Sequence, residues 1–371
     1  MRIGFDAKRA FTNTTGLGNY SRSTINGLAR HFPDHEYALY TPTRGDVQYA
    51  PPDTADIRLP SSIWSRQLKS YWRTFGLGKR LVKDGIELFH GLSNEIPVGI
   101  EKTGVRSVVT IHDLIFMRYP ELYPAMDRRI YFRKVRNAVR AADRIIAISR
   151  QTRDDILELT DADEQKIRII YQGCHPWFHK KASPETLGNT RKKYDLPPAY
   201  LLYVGTIEER KDLLTIVRAI HEHHIDIPLV AVGRKTDYFG QVKRYMEQHR
   251  VKNIFFHHHI DNADLPAVYQ QAEAFIYPSR YEGFGIPVLE ALNSGTPVIT
   301  TRGGCLEETA GAGGLFMEPG NAEELAMLIK KILDDSELRE RLITGGSGHA
   351  LEFREEKTIP KLFHVYQECL E

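Results

Sequence analysis

The chain has 371 residues, 42% of them apolar and 26% charged, a balance that excludes a disordered polymer and suits two globular domains of about 150 to 200 residues. A formal net charge of +2 gives no global bias towards nucleic acid, and no stretch approaches the ~20 apolar residues of a membrane span. Cys174, Cys305 and Cys369 are the only cysteines; odd in number and without CxxC spacing, they predict neither a disulfide framework nor a zinc site and fit a reducing cytoplasm.

In chain order, residues 1–6 read as a first strand with a charge at its end rather than as a signal peptide. Gly16-Leu17-Gly18-Asn19-Tyr20 is a small glycine loop opening a helix over 20–31, with the GxGxxG pattern left incomplete. Further strands are predicted at 37–40, 88–90, 107–111, 144–148 and 166–171. The polar, proline-containing stretch 180–198 reads as linker. A second series of strands follows at 200–204, 228–232, 253–256, 274–277 and 297–300, and Leu362, Phe363, Tyr366, Cys369 and Leu370 mark a terminal amphipathic helix. Strand and helix alternation with short loops implies an α/β fold of two doubly wound, Rossmann-like domains, assigned to 1–180 and 190–350, facing each other across a cleft.

Charge is uneven along the chain. Residues 61–150 hold 17 Lys and Arg against 8 Asp and Glu. Arg66, Lys69, Arg73, Lys79, Arg80 and Lys83 are interleaved with Trp64, Tyr71, Trp72 and Phe75, and a second basic run lies in the helix predicted over 127–144. Such a mixture suits peripheral contact with an anionic membrane or a phosphate-bearing acceptor, and equally a solvated helix face with its aromatics in the core. No recognition motif accompanies it, so nucleic acid is not expected as a partner.

Ligands of doubly wound sheets bind beyond the carboxyl ends of the strands, and the loops there carry chemistry. His112-Asp113 follows one strand. Gly205-Thr206-Ile207-Glu208-Glu209-Arg210-Lys211-Asp212 follows another and offers two adjacent cations for a diphosphate. After 274–277 come Pro278-Ser279 and then Glu282-Gly283-Phe284-Gly285, with Glu290 placed about two turns into the next helix. Glycines admit close backbone approach, Glu282 can accept from sugar hydroxyls, and Glu290 can accept from vicinal ribose hydroxyls.

With those residues the chain resembles, over essentially its whole length, the family 4 glycosyltransferases, a retaining class of the GT-B fold. Glu282 through Glu290 matches the family's E-x7-E signature, with Gly205-Thr206, Arg210-Lys211, His112-Asp113 and Gly303-Gly304-Cys305-Leu306-Glu307-Glu308 in support. His90-Gly91-Leu92-Ser93-Asn94-Glu95-Ile96-Pro97 is similar to the bacterial mannosyltransferase-like branch that builds surface polysaccharides. The resemblance implies a catalytic set of His112, Arg210, Lys211 and Glu282: the cations on the donor diphosphate, Glu282 on the transferred sugar, His112 beside the anomeric centre. Donor binding would further involve Gly16, Gly18, Gly205, Gly283, Phe284, Gly285 and Glu290, with the base met near Ile260. His257-His258-His259 stands where relatives commonly carry a glycine, which leaves GDP and UDP both open. A helix over 355–371 would pack back on the first domain.

Asp161-Ala162-Asp163 spells the DxD of metal-dependent transferases, yet it lies outside the donor half and reads as a turn or cap. Three successive strand histidines cannot converge on one ion. The implied reaction therefore needs neither metal nor cofactor. It moves a hexose, mannose by best fit, from a nucleotide sugar to a saccharide or lipid-linked saccharide acceptor. The alternatives are a nucleotide-sugar epimerase of the same fold and an inactive sugar-nucleotide-binding subunit.

Overall fold

A computed structural model describes residues 1–45, 47–61 and 67–371. Trp64 and Arg66, part of the basic and aromatic stretch, lie outside the described residues. The chain divides into two compact units, Met1–Gly173 with Phe353–Glu371, and Cys174–Glu352.

The first unit is built on seven strands: β1 (Arg2–Asp6), β2 (Glu36–Tyr40), β3 (Ala55–Arg58), β4 (Leu88–Gly91), β5 (Arg106–Ile111), β6 (Arg144–Ala147) and β7 (Ile167–Ile169). They pair in parallel in the order β3-β2-β1-β4-β5-β6-β7. Ile3, Phe5, Leu88, Phe89, Val108, Val109, Ile145 and Ile146 are fully buried, as expected of a parallel sheet covered on both faces. Sequence order reverses between β1 and β4, and it is beyond the carboxyl ends of the strands at such a reversal that ligands of doubly wound sheets are held.

The helix Glu355–Leu370 belongs to this unit. Ile359 lies against Gly27 of the helix Gly16–His31 so closely that a Cβ at Gly27 would sit 2.8 Å from its Cγ1. Phe363 stacks on Phe32, and Arg144 and Arg168 hold Glu368 at 3.2 and 2.7 Å. Tyr366, fully buried, reaches His90 on β4.

The second unit has six strands: β8 (Leu201–Val204), β9 (Leu229–Val232), β10 (Ile254–His257), β11 (Ala274–Tyr277), β12 (Val298–Thr301) and β13 (Gly314–Met317). They too are parallel, in the order β10-β9-β8-β11-β12-β13, with the reversal between β8 and β11.

Three expectations are corrected. Within the stretch read as linker, Pro184–Lys193 is a helix, capped by the Ser183 hydroxyl on the Thr186 amide and carrying proline in its first turn. The last strand of the first series is shorter than 166–171, since Glu164–Lys166 forms a 3₁₀ turn instead. The basic stretch does not form one solvated face: Trp72 and Arg73 are buried, and Arg80 is paired with Asp84 at 2.8 Å. Tyr71 and Phe75 do face solvent, as do Met126, Ile130, Tyr131 and Phe132 on the basic helix Ala125–Ala141. Among the described residues no helix is long and apolar enough to cross a membrane.

Candidate active site

In the second unit, the loops after β8 and β11 bring four of the predicted residues together. β8 ends at Val204, and the chain runs through Gly205 to a 3₁₀ turn, Glu209–Lys211, closed by Asp212 at φ +48°. That turn delivers Arg210 and Lys211 to the strand ends. β11 ends at Tyr277, and the loop to the helix Ile286–Asn293 carries Glu282. Gly285 starts this helix at φ +109°, and a Cβ there would meet Leu306 Cδ2 at 2.7 Å, so both conformation and space call for glycine. Phe284 is buried, its carbonyl accepting from Thr309 Oγ1 at 2.8 Å. Gly283 lies between it and Glu282.

Arg210 is partly buried and ion-paired. It contacts Glu282 at 2.8 Å and Glu208 at 2.6 Å, and it also donates to the Tyr281 carbonyl. Ser279 Oγ and Tyr277 Oη donate to Glu282 Oε1 at 2.9 and 2.8 Å, and Cys305 Sγ donates to its main-chain carbonyl at 3.0 Å. Burial works to raise the Glu282 carboxyl. The charges of Lys211 and Arg210, with the hydrogen bonds of Arg210 and Tyr277, outweigh it and hold the pKa below the usual carboxylate value. Glu282 is therefore an anion held in a fixed pose.

Lys211 differs from its neighbour. Among the described residues it makes no ion pair, and its Nζ stands 5.6 Å from the centre of the Tyr277 ring. A Cβ at Gly205 would lie 3.3 Å from Lys211 Cδ and 3.4 Å from Nζ, so Gly205 is the opening through which the ammonium reaches the strand ends. Of the two adjacent cations, Arg210 is engaged within the protein and Lys211 remains open to a ligand.

Glu290 lies just over one turn into its helix, not two. Burial raises its pKa to about 7, against a lowering hydrogen bond from Tyr269 Oη at 3.0 Å. Ile260 is buried in the loop after β10.

In the first unit, His112 follows β5 and is buried. Its Nε2 lies 2.8 Å from the Leu92 carbonyl, which can only accept, so Nε2 carries the proton and Nδ1 is left as an acceptor. Burial lowers its pKa to about 4, and the ring is neutral at physiological pH. Asn94 Oδ1 accepts from the His112 amide at 2.8 Å. Tyr20 meets the ring edge-on at 4.7 Å. Behind it runs a buried chain that sequence reasoning missed: Tyr20 Oη to Thr110 Oγ1 at 2.9 Å, Thr110 to His90 Nε2 at 2.8 Å, and His90 Nδ1 to Tyr366 Oη at 2.6 Å. Asp113 instead caps its own turn, accepting from the Ile115 amide.

Gly16 is exposed at the start of its helix with open space around it. Gly18 is not open in this way. Its amide is bound to Asn13 Oδ1 at 3.1 Å, and a Cβ would fall 1.8 Å from the Asn13 carbonyl oxygen, so it packs the loop. Asp163 caps a 3₁₀ turn through the Gln165 amide, and Asp161 pairs with Arg140 at 2.5 Å. Among the described residues no cluster of three or more His, Cys, Asp or Glu side chains could hold a metal ion.

Residues 14–177 match the family described as Glycosyltransferase Family 4, and residues 189–348 the family described as Glycosyl transferases group 1. The chain is a glycosyltransferase built of these two family domains. This glycosyltransferase is 28% identical over 289 residues to the O-antigen chain mannosyltransferase B of Escherichia coli, a match that spans 76% of this chain and 74% of that one. Its fold is shared with a glycosyltransferase from Rickettsia africae at a TM-score of 0.75 and 17% identity, covering 100% of this chain and 98% of the other. It is shared equally with Anabaena HepE, solved in complex with UDP and glucose, at 0.74 and 16%, covering 99% of each. The two parallel α/β units are those of the GT-B fold.

Proposed function

We propose that this glycosyltransferase moves a hexose, best matched by mannose, from a nucleotide sugar to an acceptor hydroxyl, with retention at the anomeric carbon, in the synthesis of a polysaccharide or glycolipid. The observation that carries the reading is the division of labour at the ends of β8 and β11, where an uncommitted ammonium stands beside a fixed, ionised carboxylate. Lys211 binds the donor diphosphate, and Arg210 supports it while anchoring Glu282. Glu282 accepts from hydroxyls of the transferred sugar, in a pocket lined by Gly283, Phe284 and Gly285. Glu290 accepts from the ribose, and the base lies against the backbone near Ile260. UDP in HepE and mannose transfer in the E. coli relative support the donor class.

In the first unit His112 presents a neutral acceptor through Nδ1, its ring held by Leu92, Asn94 and Tyr20. Transfer breaks the bond between C1 and the diphosphate oxygen and forms the bond from the acceptor oxygen to C1 on the same face. The acceptor proton passes to the departing diphosphate, whose charge Lys211 stabilises as it develops. With lysine and arginine in this role the reaction proceeds without a divalent ion.

The test is release of free nucleotide from GDP-mannose or UDP-glucose only when an acceptor saccharide is present, alongside calorimetry with GDP, UDP and ADP. Release without acceptor dependence, or conversion of the sugar to its epimer, would refute transfer. The exposed Met126, Ile130, Tyr131 and Phe132 beside Arg129 support peripheral contact with the anionic inner face of a membrane. Lys69→Glu with Arg129→Glu should weaken sedimentation with phosphatidylserine vesicles. Unchanged sedimentation would leave this surface merely solvated.

A further inference from the structure

The first unit has a crevice at its own reversal point. Asp6 ends β1, and Glu95 follows β4 by four residues, so the two carboxylates stand on either side of the place where the sheet changes direction. Between them lies Arg73, buried, with Nε donating to Asp6 at 2.7 Å and Nη2 in ion contact with both Asp6 and Glu95. Lys134 pairs with Glu95 at 2.8 Å. Burial alone would lower the Arg73 pKa, and the two carboxylates more than reverse this. A cavity of about 170 Å³ opens onto this network, walled by Phe75, Ile96, Pro97 and Val98 and rimmed by Arg133 and Asn137.

Two further observations set the crevice apart from an ordinary structural ion cluster. Arg73, Thr74 and Phe75 are delivered by Trp72–Gly76, a π-helical turn between two α-helical segments, a widened turn that recurs at functional sites. Arg73 Nη2 lies 2.6 Å from Asp6 Oδ2 and also meets Glu95 Oε1, so one edge of a buried guanidinium fixes both carboxylates at the mouth of the cavity. The same device also occurs in the second unit. There Arg210 joins Glu208, after β8, to Glu282, after β11, again across the reversal point.

We infer that the crevice formed by Asp6, Arg73 and Glu95 is a second saccharide subsite, taking a hydroxyl-rich ring of the acceptor. This rests on the transferase reading above and names the acceptor side of it. Carboxylates fixed by an arginine accept from sugar hydroxyls, and Phe75 and Pro97 present apolar walls to a ring face. At the centre Asp6 and Glu95 balance Arg73 and Lys134, and Arg133 adds a cation at the rim. The second cation here, Lys134, is neutralised by Glu95, whereas Lys211 in the other unit is uncommitted.

The experiment is calorimetric titration of the full chain with methyl α-mannoside, methyl α-glucoside and methyl α-galactoside, and with inorganic phosphate. The variants are Glu95→Gln, and the rim variants Phe75→Ala and Asn137→Ala, which leave the ion network intact and keep the test valid if Glu95→Gln fails to fold. At least one methyl glycoside should bind the wild type. Each rim variant should weaken it about fivefold, the loss of one net contact, with nucleotide affinity unchanged. In steady-state assays the acceptor KM should rise and the donor KM should not. Binding that survives the rim variants but is lost in Glu282→Ala would place the sugar in the second unit and overturn the inference. So would the absence of glycoside binding, or displacement of the glycoside by phosphate. Calorimetry with GDP or UDP reports separately on the transferase reading, so the two can fail independently.

Discussion

The two sheets end in the same construction and use it differently. Each reversal point holds an arginine between two carboxylates, a buried Arg73 with Asp6 and Glu95 in one unit and a partly buried Arg210 with Glu208 and Glu282 in the other. The difference lies in the next cation. Lys134 is paired with Glu95, and the first cluster closes on itself; Lys211 makes no ion pair among the described residues and acts on Glu282 through its charge alone. On the roles proposed above, the first cluster would offer hydrogen bonds to a sugar ring and Lys211 would meet the donor phosphates.

The sharpest way to break this comparison is to remove the closed cluster's centre. Arg73→Ala leaves Asp6 buried without compensation and Glu95 with Lys134 alone, and should cost about 3 kcal/mol of unfolding free energy. Chemical denaturation showing a loss well below 1 kcal/mol would mean that water replaces the guanidinium freely. Lys211→Ala should do the reverse, leaving the unfolding midpoint nearly unchanged and lowering kcat and kcat/KM together by roughly ten to more than a hundredfold, the worth of a charge-assisted contact to the leaving diphosphate. Near-normal turnover would show that the open cation is not the one that meets the donor.

The two glutamates of the second unit separate in a similar way. Glu282 is held ionised by cations, and Glu290, eight residues on, is raised by burial to about 7. A carboxylate accepts from two ribose hydroxyls better than a carboxylic acid does. Nucleotide affinity should therefore increase as pH rises from about 6 to about 8, by a few-fold, with proton release on binding measurable from the buffer dependence of the calorimetric heat. Glu290→Gln should flatten that profile; a wild-type affinity constant across this range would place the ribose elsewhere. His112, whose pKa burial holds near 4, should add no step to the kcat profile between about pH 5 and 8. The smallest expected effect is that of EDTA, which should leave turnover unchanged, and restoration of lost activity by magnesium or manganese would contradict the role given to Lys211.

The strands buried on both faces were legible because parallel sheets demand continuous apolar runs, and 274–277 and 201–204 are such runs. β3, with the sequence Ala-Asp-Ile-Arg at the sheet edge, and β13, emerging from a glycine-rich stretch, lack that signature and were missed. The helix Pro184–Lys193 buries only Thr190, so it has no apolar stripe, although its Ser183 cap and Pro184 carried a start signal. Site residues on one loop, such as Glu282 to Glu290, could be read from spacing. The Arg73 cluster could not. Asp6, Arg73 and Glu95 come from separate elements, and Arg73 sits in a stretch whose composition suggests a solvated face. Only the charge closing β1 hinted at it.

One consequence concerns synthesis. The first unit is completed by Phe353–Glu371, whose Tyr366 closes the hydrogen-bonded chain through His90 and Thr110 towards Tyr20, against His112. On the ribosome those residues emerge after the whole of Cys174–Glu352. The domain that starts first therefore finishes last, against the usual N-terminal-first order, and Met1–Gly173 must wait with its groove for the last helix uncovered while the second sheet assembles.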